Sequence, residues 1–275
     1  MNYQTIVENI RNKKSLLCVG LDTDINEIPP FLKTYKDPIF EFNKQIIDNT
    51  SKYAIAYKIN TAFYEQYGES GWLSMRKTLE YIKKNYPEIF VIADAKRGDI
   101  STSSEKYAKA FFENMNFDAI TLSPYMGKDS VEPFLKYKNK FVILLALTSN
   151  IGSEDFQFIR VNNDSLFQLV IKKSKTWGSH ENMMYVIGAT KASMLVKVRE
   201  VIPEHFLLIP GVKTQGGKIE EVFKYGCNSK GGLIINSSRY ILYSDNSENF
   251  AYSAELKAKE LQEEMSKFLK EFSVI

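Results

Sequence analysis

Histidine and cysteine are scarce, with two of each in 275 residues. Cys18 and Cys227 make neither a disulfide framework nor a CxxC metal pattern, and Cys18 lies in an apolar run where a buried thiol is the ordinary expectation. A reducing, cytoplasmic compartment follows. His180 and His205 are too few and too poorly placed for a His-bearing nucleophilic triad or a His-rich zinc site. No GxSxG, HExxH or GxxxxGK[ST] pattern occurs. A charge excess is also missing. Lys and Arg number 36 against 33 Asp and Glu, a net charge of +3, which is no basic footprint for nucleic acid. No apolar run reaches the roughly 20 residues that span a bilayer. The opening MNYQTIVENIRNKKS has no apolar signal core, so neither membrane association nor secretion is expected. Linkers, low-complexity tracts and strong internal repeats are absent, which argues for one domain over residues 1–275. With 44% hydrophobic and 25% charged residues, the chain is not a disordered one.

What is present is a series of eight apolar, strand-like runs: Leu16–Leu21, Tyr53–Ile59, Phe90–Ala95, Ala119–Pro124, Phe141–Leu147, Met183–Ala189, Phe206–Val212 and Gly232–Ser238. Most are continuously apolar rather than alternating, as in parallel strands buried on both faces. Helical patterns separate them at Glu41–Asn49, Gly71–Lys84, Ser103–Met115 and Asp164–Trp177. A last helix from about Ala251 to Phe272 carries a stripe of Ala254, Ala258, Leu261, Met265, Phe268 and Phe272. Eight strands alternating with helices predict an α/β fold, a (β/α)8 TIM barrel, with a doubly wound open sheet as the alternative. The connection Thr148–Asn163 is long enough to be a lid or binding loop.

In such a barrel the chemistry belongs at the C-terminal ends of the strands. Polar residues collect there: Asp22, Lys58 and Asn60, Asp94, Lys96, Arg97 and Asp99, Thr148 to Asn150, Lys191, and Ser237 to Arg239. In Asp94-x-Lys96-x-x-Asp99, positions 94 and 96 of an extended segment project to one side. With Lys58 they would make an alternating Lys–Asp–Lys–Asp array of preset charge. A surface ion pair at a strand end is the plainer alternative. Mg²⁺ on Asp94 and Asp99 is disfavoured, because the neighbouring lysines compete for the carboxylates. Gly211, Gln215, Gly216 and Gly217 after strand seven, with Arg239 after strand eight, suit a phosphate; turn chemistry alone would also explain the glycines. Lys191 follows strand six, where a desolvated lysine could form a Schiff base, although an exposed loop lysine is the simpler expectation.

These residues fall in a familiar order. VIADAKRGDI (91–100) resembles the signature of the orotidine 5′-monophosphate decarboxylase family. GLD (20–22), KINTAFYEQYG (58–68), LSPYMGKDS (122–130), TSN (148–150), PGVKTQGG (210–217) and NSSR (236–239) extend the match, in the manner of the type 2 branch. The resemblance implies conversion of orotidine 5′-monophosphate to UMP and CO₂, the last step of UMP synthesis, with no cofactor and no metal. It makes Lys96 the general acid at C6, places Asp94 beside the departing carboxylate and lets Lys58 complete the array. Asp99 would act across a homodimer interface on the partner's ribose. Asp22 and Asn60 would contact ribose hydroxyls, Ser103 would keep a hydroxyl where the family has threonine, Ser149 would meet the pyrimidine edge, and Gln215 and Arg239 would hold the phosphate. The sequence departs from the family at Ser101-Thr102-Ser103, where Gly-Ser-Thr is usual. Two other functions share DxKxxD or the phosphate loops: a Mg²⁺-dependent sugar-phosphate decarboxylase or aldolase, and a non-catalytic nucleotide- or sugar-phosphate-binding barrel.

Overall fold

The computed structural model describes residues 1–213 and 216–275. The eight apolar runs become strands β1 (Leu17–Gly20), β2 (Ala56–Asn60), β3 (Phe90–Arg97), β4 (Ala119–Leu122), β5 (Phe141–Leu147), β6 (Met183–Ile187), β7 (Leu207–Ile209) and β8 (Leu233–Ser237). Every pair is parallel, and β1 bonds to both β2 and β8, so the sheet closes into a barrel. The open-sheet alternative is thereby excluded. Closure leaves no sheet edge to protect and buries both faces of each strand, which is why the runs need no polar alternation. The register sets Gly20 opposite Lys58 and Asn60 opposite Asp94, so these strand ends lie at one height.

The helices form from local signals. Asp37 caps Pro38–Thr50, accepting from Phe40 N at 3.2 Å, and Pro38 occupies the first turn, where its missing N–H costs nothing. The C-terminal helix, Phe250–Glu271, buries Ala254, Ala258, Leu261 and Met265 as the stripe predicts, and then Leu269. Phe268 and Phe272 lie at the margin of that stripe, with their rings 5.2 and 6.2 Å from Phe223. The structure adds an N-terminal helix, Tyr3–Lys13. Asn2 caps it, accepting from Thr5 N at 2.9 Å, and Ile6, Val7 and Ile10 are buried. The segment read as one helix from Ser103 is α-helical over Ser101–Ala108 and π-helical over Lys109–Asn114. The wider turn lets the consecutive Phe111 and Phe112 both reach the core.

The long connection after β5 is built rather than open. It holds a 3-10 turn, Ile151–Asp155, and a short antiparallel ribbon pairing Arg160–Val161 with Asp164–Ser165. Gln157 folds back on Thr148, accepting from its N–H and donating to its Oγ1, both at 2.8 Å. Lys191 pairs with Glu154 at 3.2 Å and stands 4.9 Å over the Phe158 ring. The expected loop lysine is therefore an anchor for this connection, and it does not line the central cavity.

Candidate active site

A cavity of about 560 Å³ opens at the C-terminal ends of the strands. One wall is charged, with Asp22, Lys58, Asp94 and Lys96, and the other is apolar, with Leu145, Val186, Leu208 and Pro210. Asn60, Ser149, Asn236, Ser238 and Arg239 complete much of the rim.

The charged wall is a continuous chain of ion pairs. Lys58 Nζ donates to Asp94 Oδ2 at 2.9 Å and lies 3.3 Å from Asp22 Oδ1. Lys96 Nζ donates to the other oxygen of Asp94 at 2.7 Å. Burial alone would raise the Asp94 pKa, but the Lys58 and Lys96 ammonium groups outweigh it and hold the carboxyl well below the usual carboxylate range. Burial likewise opposes charge on Lys58, and Asp22 and Asp94 together more than restore it, so its pKa is raised. The lysines differ in access. The Lys58 side chain is 5% exposed and that of Lys96 50%, so Lys58 is a fixed charge and Lys96 the one a ligand can meet.

The chain places Asp22 by packing its backbone. Tyr64 OH donates to Leu21 O at 3.0 Å and Tyr243 OH to Asp22 O at 3.0 Å. Gly20 allows this approach: a Cβ there would fall 1.9 Å from Ser238 Oγ. Gly217 allows a similar close approach outside the cavity lining, since a Cβ there would meet that of Ala189 at 2.4 Å.

Seven of the ten expected site residues, Asp22, Lys58, Asn60, Asp94, Lys96, Ser149 and, at the rim, Arg239, line this cavity. Gln215 lies outside the described residues. Asp99 and Ser103 do not join them. Asp99 turns its carboxylate to its own chain, accepting from Ile100 N at 2.7 Å, and Ser103 is exposed in the first turn of the following helix. Within one chain the array therefore runs Asp22–Lys58–Asp94–Lys96, with Asp22 rather than Asp99 as its second carboxylate. The departure at Ser101 has a backbone consequence: its φ is +27°, on the side of the map where glycine is favoured.

The sequence pattern alone does not mark several of the lining residues. The apolar wall hides among core residues of like composition. Asn236 sits in β8, and its Oδ1 is buried without a protein partner among the described residues. An amide in an otherwise apolar strand is the signal that could have found it. His180 and His205 pack with Tyr3 and Tyr185 away from this cavity. Among the described residues no three His, Cys, Asp or Glu side chains gather as a metal-binding group, and no helix is long and apolar enough to cross a membrane.

A closed parallel barrel with a lysine–aspartate array at its strand ends places this chain among the (β/α)8-barrel enzymes. The profile of the orotidine 5′-phosphate decarboxylase / HUMPS family matches residues 15–253, and the chain belongs to that family. It is 57% identical over 271 residues to an orotidine 5′-phosphate decarboxylase of Bacteroides fragilis strain YCH46, covering 98% of this chain and 99% of the relative. Among solved structures it resembles the OMP decarboxylase of Leishmania donovani, at 34% identity and a TM-score of 0.83, covering 98% and 99% of the two chains. The UMP synthase of the same organism matches at 36% identity and a TM-score of 0.86; there 98% of this chain aligns with 56% of the longer one.

Proposed function

We propose that the protein is a carboxy-lyase that converts orotidine 5′-phosphate to UMP and CO₂ in the cytoplasm, with one catalytic domain spanning the chain. The observation that carries this reading is the Lys96 ammonium, accessible from the cavity and 2.7 Å from Asp94 Oδ1. Breaking the bond between C6 and the carboxylate leaves its electron pair on C6. A cation fixed beside that carbon lowers the energy of the developing charge, and Lys96 then gives its proton to C6. The neutral lysine regains a proton from solvent. Lys58 keeps Asp94 ionised and in place. Both oxygens of Asp94 already accept from ammonium groups, which favours this chemistry over an enediolate held by Mg²⁺ on the same carboxylate.

The remaining roles are those that the family resemblance implies. Asp22 and Asn60, beside Lys58, meet the ribose hydroxyls. Ser149, at the end of β5, meets the pyrimidine edge. Gln215 and Arg239 hold the phosphate, whose binding energy serves the distant reaction through loop closure. Asp99 acts on the partner's ribose in a homodimer, and Ser103 contributes a hydroxyl to substrate binding. The support for that arrangement is that Asp99 does not line its own chain's cavity while Ile100, Tyr125 and Met126 stand 53%, 92% and 48% exposed on the adjoining segments. The free thiols Cys18 and Cys227 suit a reducing compartment.

The direct test is turnover of orotidine 5′-phosphate by purified protein in excess EDTA, followed by ultraviolet absorbance, with UMP identified by chromatography. Turnover that persists in EDTA and disappears in Lys96→Ala is expected. Folded protein without turnover would reject the reading and direct the search to sugar phosphates with Mg²⁺.

A further inference from the structure

Strand β3 is irregular where it carries Lys96. Its pairing with β4 runs regularly to Ala93 opposite Ile120, then resumes in a shifted register at Arg97 opposite Leu122. Between them Lys96 has a φ of +46°, a conformation uncommon for a residue with a side chain. A bulge also takes an amide out of the regular ladder, and a buried amide needs an acceptor.

One side chain of β4 answers both requirements. Thr121 Oγ1 accepts from the Lys96 N–H at 2.9 Å and donates to Asp94 Oδ1 at 3.0 Å. Thr121 is 1% exposed and does not line the cavity, so it meets no ligand. A hydroxyl has one proton to give. With a carboxylate as the acceptor that proton points at Asp94, and a lone pair is left for the lysine amide. Asp94 Oδ1 in turn holds the Lys96 ammonium at 2.7 Å. The result is a small closed ring, from the backbone of Lys96 through Thr121 and Asp94 to the end of the same lysine's side chain.

We propose that Thr121 is a positioning residue for the decarboxylation, its hydroxyl locking the left-handed backbone of Lys96 and the Asp94 carboxylate into one unit that aims the ammonium group. This rests on reading the protein as an orotidine 5′-phosphate decarboxylase. The competing role is that of a space-filling β-branched residue, and the two make opposite predictions. Thr121→Val keeps the shape and removes the hydroxyl, whereas Thr121→Ser keeps the hydroxyl and removes the methyl.

The experiment measures kcat and KM for orotidine 5′-phosphate, with UMP affinity by calorimetry and the thermal midpoint as controls. Misplacement of a reacting group by about 1 Å costs on the order of 100-fold in rate, so Thr121→Val is expected to lose kcat on that scale. Its KM and UMP affinity should change by no more than about threefold, because only transition-state interactions are lost. Thr121→Ser should regain most of the rate. An active valine variant with an impaired serine variant would overturn the inference, as would equal kcat in valine variant and wild type. If Thr121→Val fails to fold, serine against alanine decides: a much faster serine variant supports the role and equal rates reject it. Wild-type turnover in the same assay separates the two levels, since an inactive wild type removes the decarboxylase reading and this inference with it.

Discussion

Lys58 and Asp94 form an ion pair 2.9 Å apart at the end of adjacent barrel strands, with the lysine side chain 5% exposed. The pair is pinned from both sides, by Asp22 against Lys58 and by Lys96 against Asp94. A buried charge is tolerable here only because each one has a partner.

Removing one member should therefore harm the fold as well as the chemistry. Lys58→Met leaves Asp22 and Asp94 without their shared cation. Breaking a buried pair in this way costs about 3–5 kcal/mol. Denaturant unfolding is expected to show a loss of that order, and turnover should fall to background. Wild-type stability in this variant would show that the pair is solvated rather than buried.

Asp99 provides a test of the homodimer. Lys96→Ala and Asp99→Ala chains should each be inactive alone. Mixed dimers would hold one site with both residues native, so about half of the mixed dimers' sites should regain activity by the logic of shared sites. Verified mixed dimers without activity would return Asp99 to its own chain.

The stability of the protein should depend on pH through a residue remote from the site. His205 is pushed down to about 4, chiefly by burial and then by the positive charges of His180, Arg199 and Lys175. Its ring nitrogens have no protein partner among the described residues. Unfolded, the imidazole titrates near 6.5. As pH falls from about 6.5 to 4, the unfolded chain takes up a proton that the folded chain refuses, and stability drops. Below about 4 both states are protonated and this contribution stops changing. Urea unfolding across that window should show the slope in the wild type and a shallower one in His205→Gln, with kcat unchanged.

Ser101 holds a φ of +27° at a position where the family resemblance implies glycine. A side chain in the left-handed region costs about 1–2 kcal/mol, partly offset by the greater freedom that glycine loses on folding. Ser101→Gly should accordingly raise stability by roughly 0.5–1 kcal/mol, a shift of about 1–2 °C in Tm for a protein of this size. An unchanged or lower Tm would mean that the serine hydroxyl compensates for the strain.

Much of the architecture is legible in the one-dimensional pattern. The FVILLAL run coincides with β5 at Phe141–Leu147, and the other seven strands lie within three residues of their apolar runs at either end. Continuous apolarity marks a strand covered on both faces, whatever its neighbours are. Helices that rely on tertiary cover were less visible. Tyr3–Lys13 has only a short apolar stripe, Ile6, Val7 and Ile10, within a polar sequence. The π turn at Lys109–Asn114 answers a packing demand from Phe111 and Phe112 that a regular helical period does not contain.

The site divides along the same line. The sequence alone determined which charged groups stand at the strand ends, because strand order and a two-residue spacing put Asp94 and Lys96 on one side and Lys58 on the strand beside them. The partners of those groups were decided only by tertiary structure. Asp22 joins the array within one chain because β1 lies against β2 in the closed barrel and brings Asp22 Oδ1 within 3.3 Å of Lys58. Thr121 meets Lys96 and Asp94 through a shift in register between β3 and β4. A register shift is a compromise among the twists of whole strands and leaves no mark on the residues beside it.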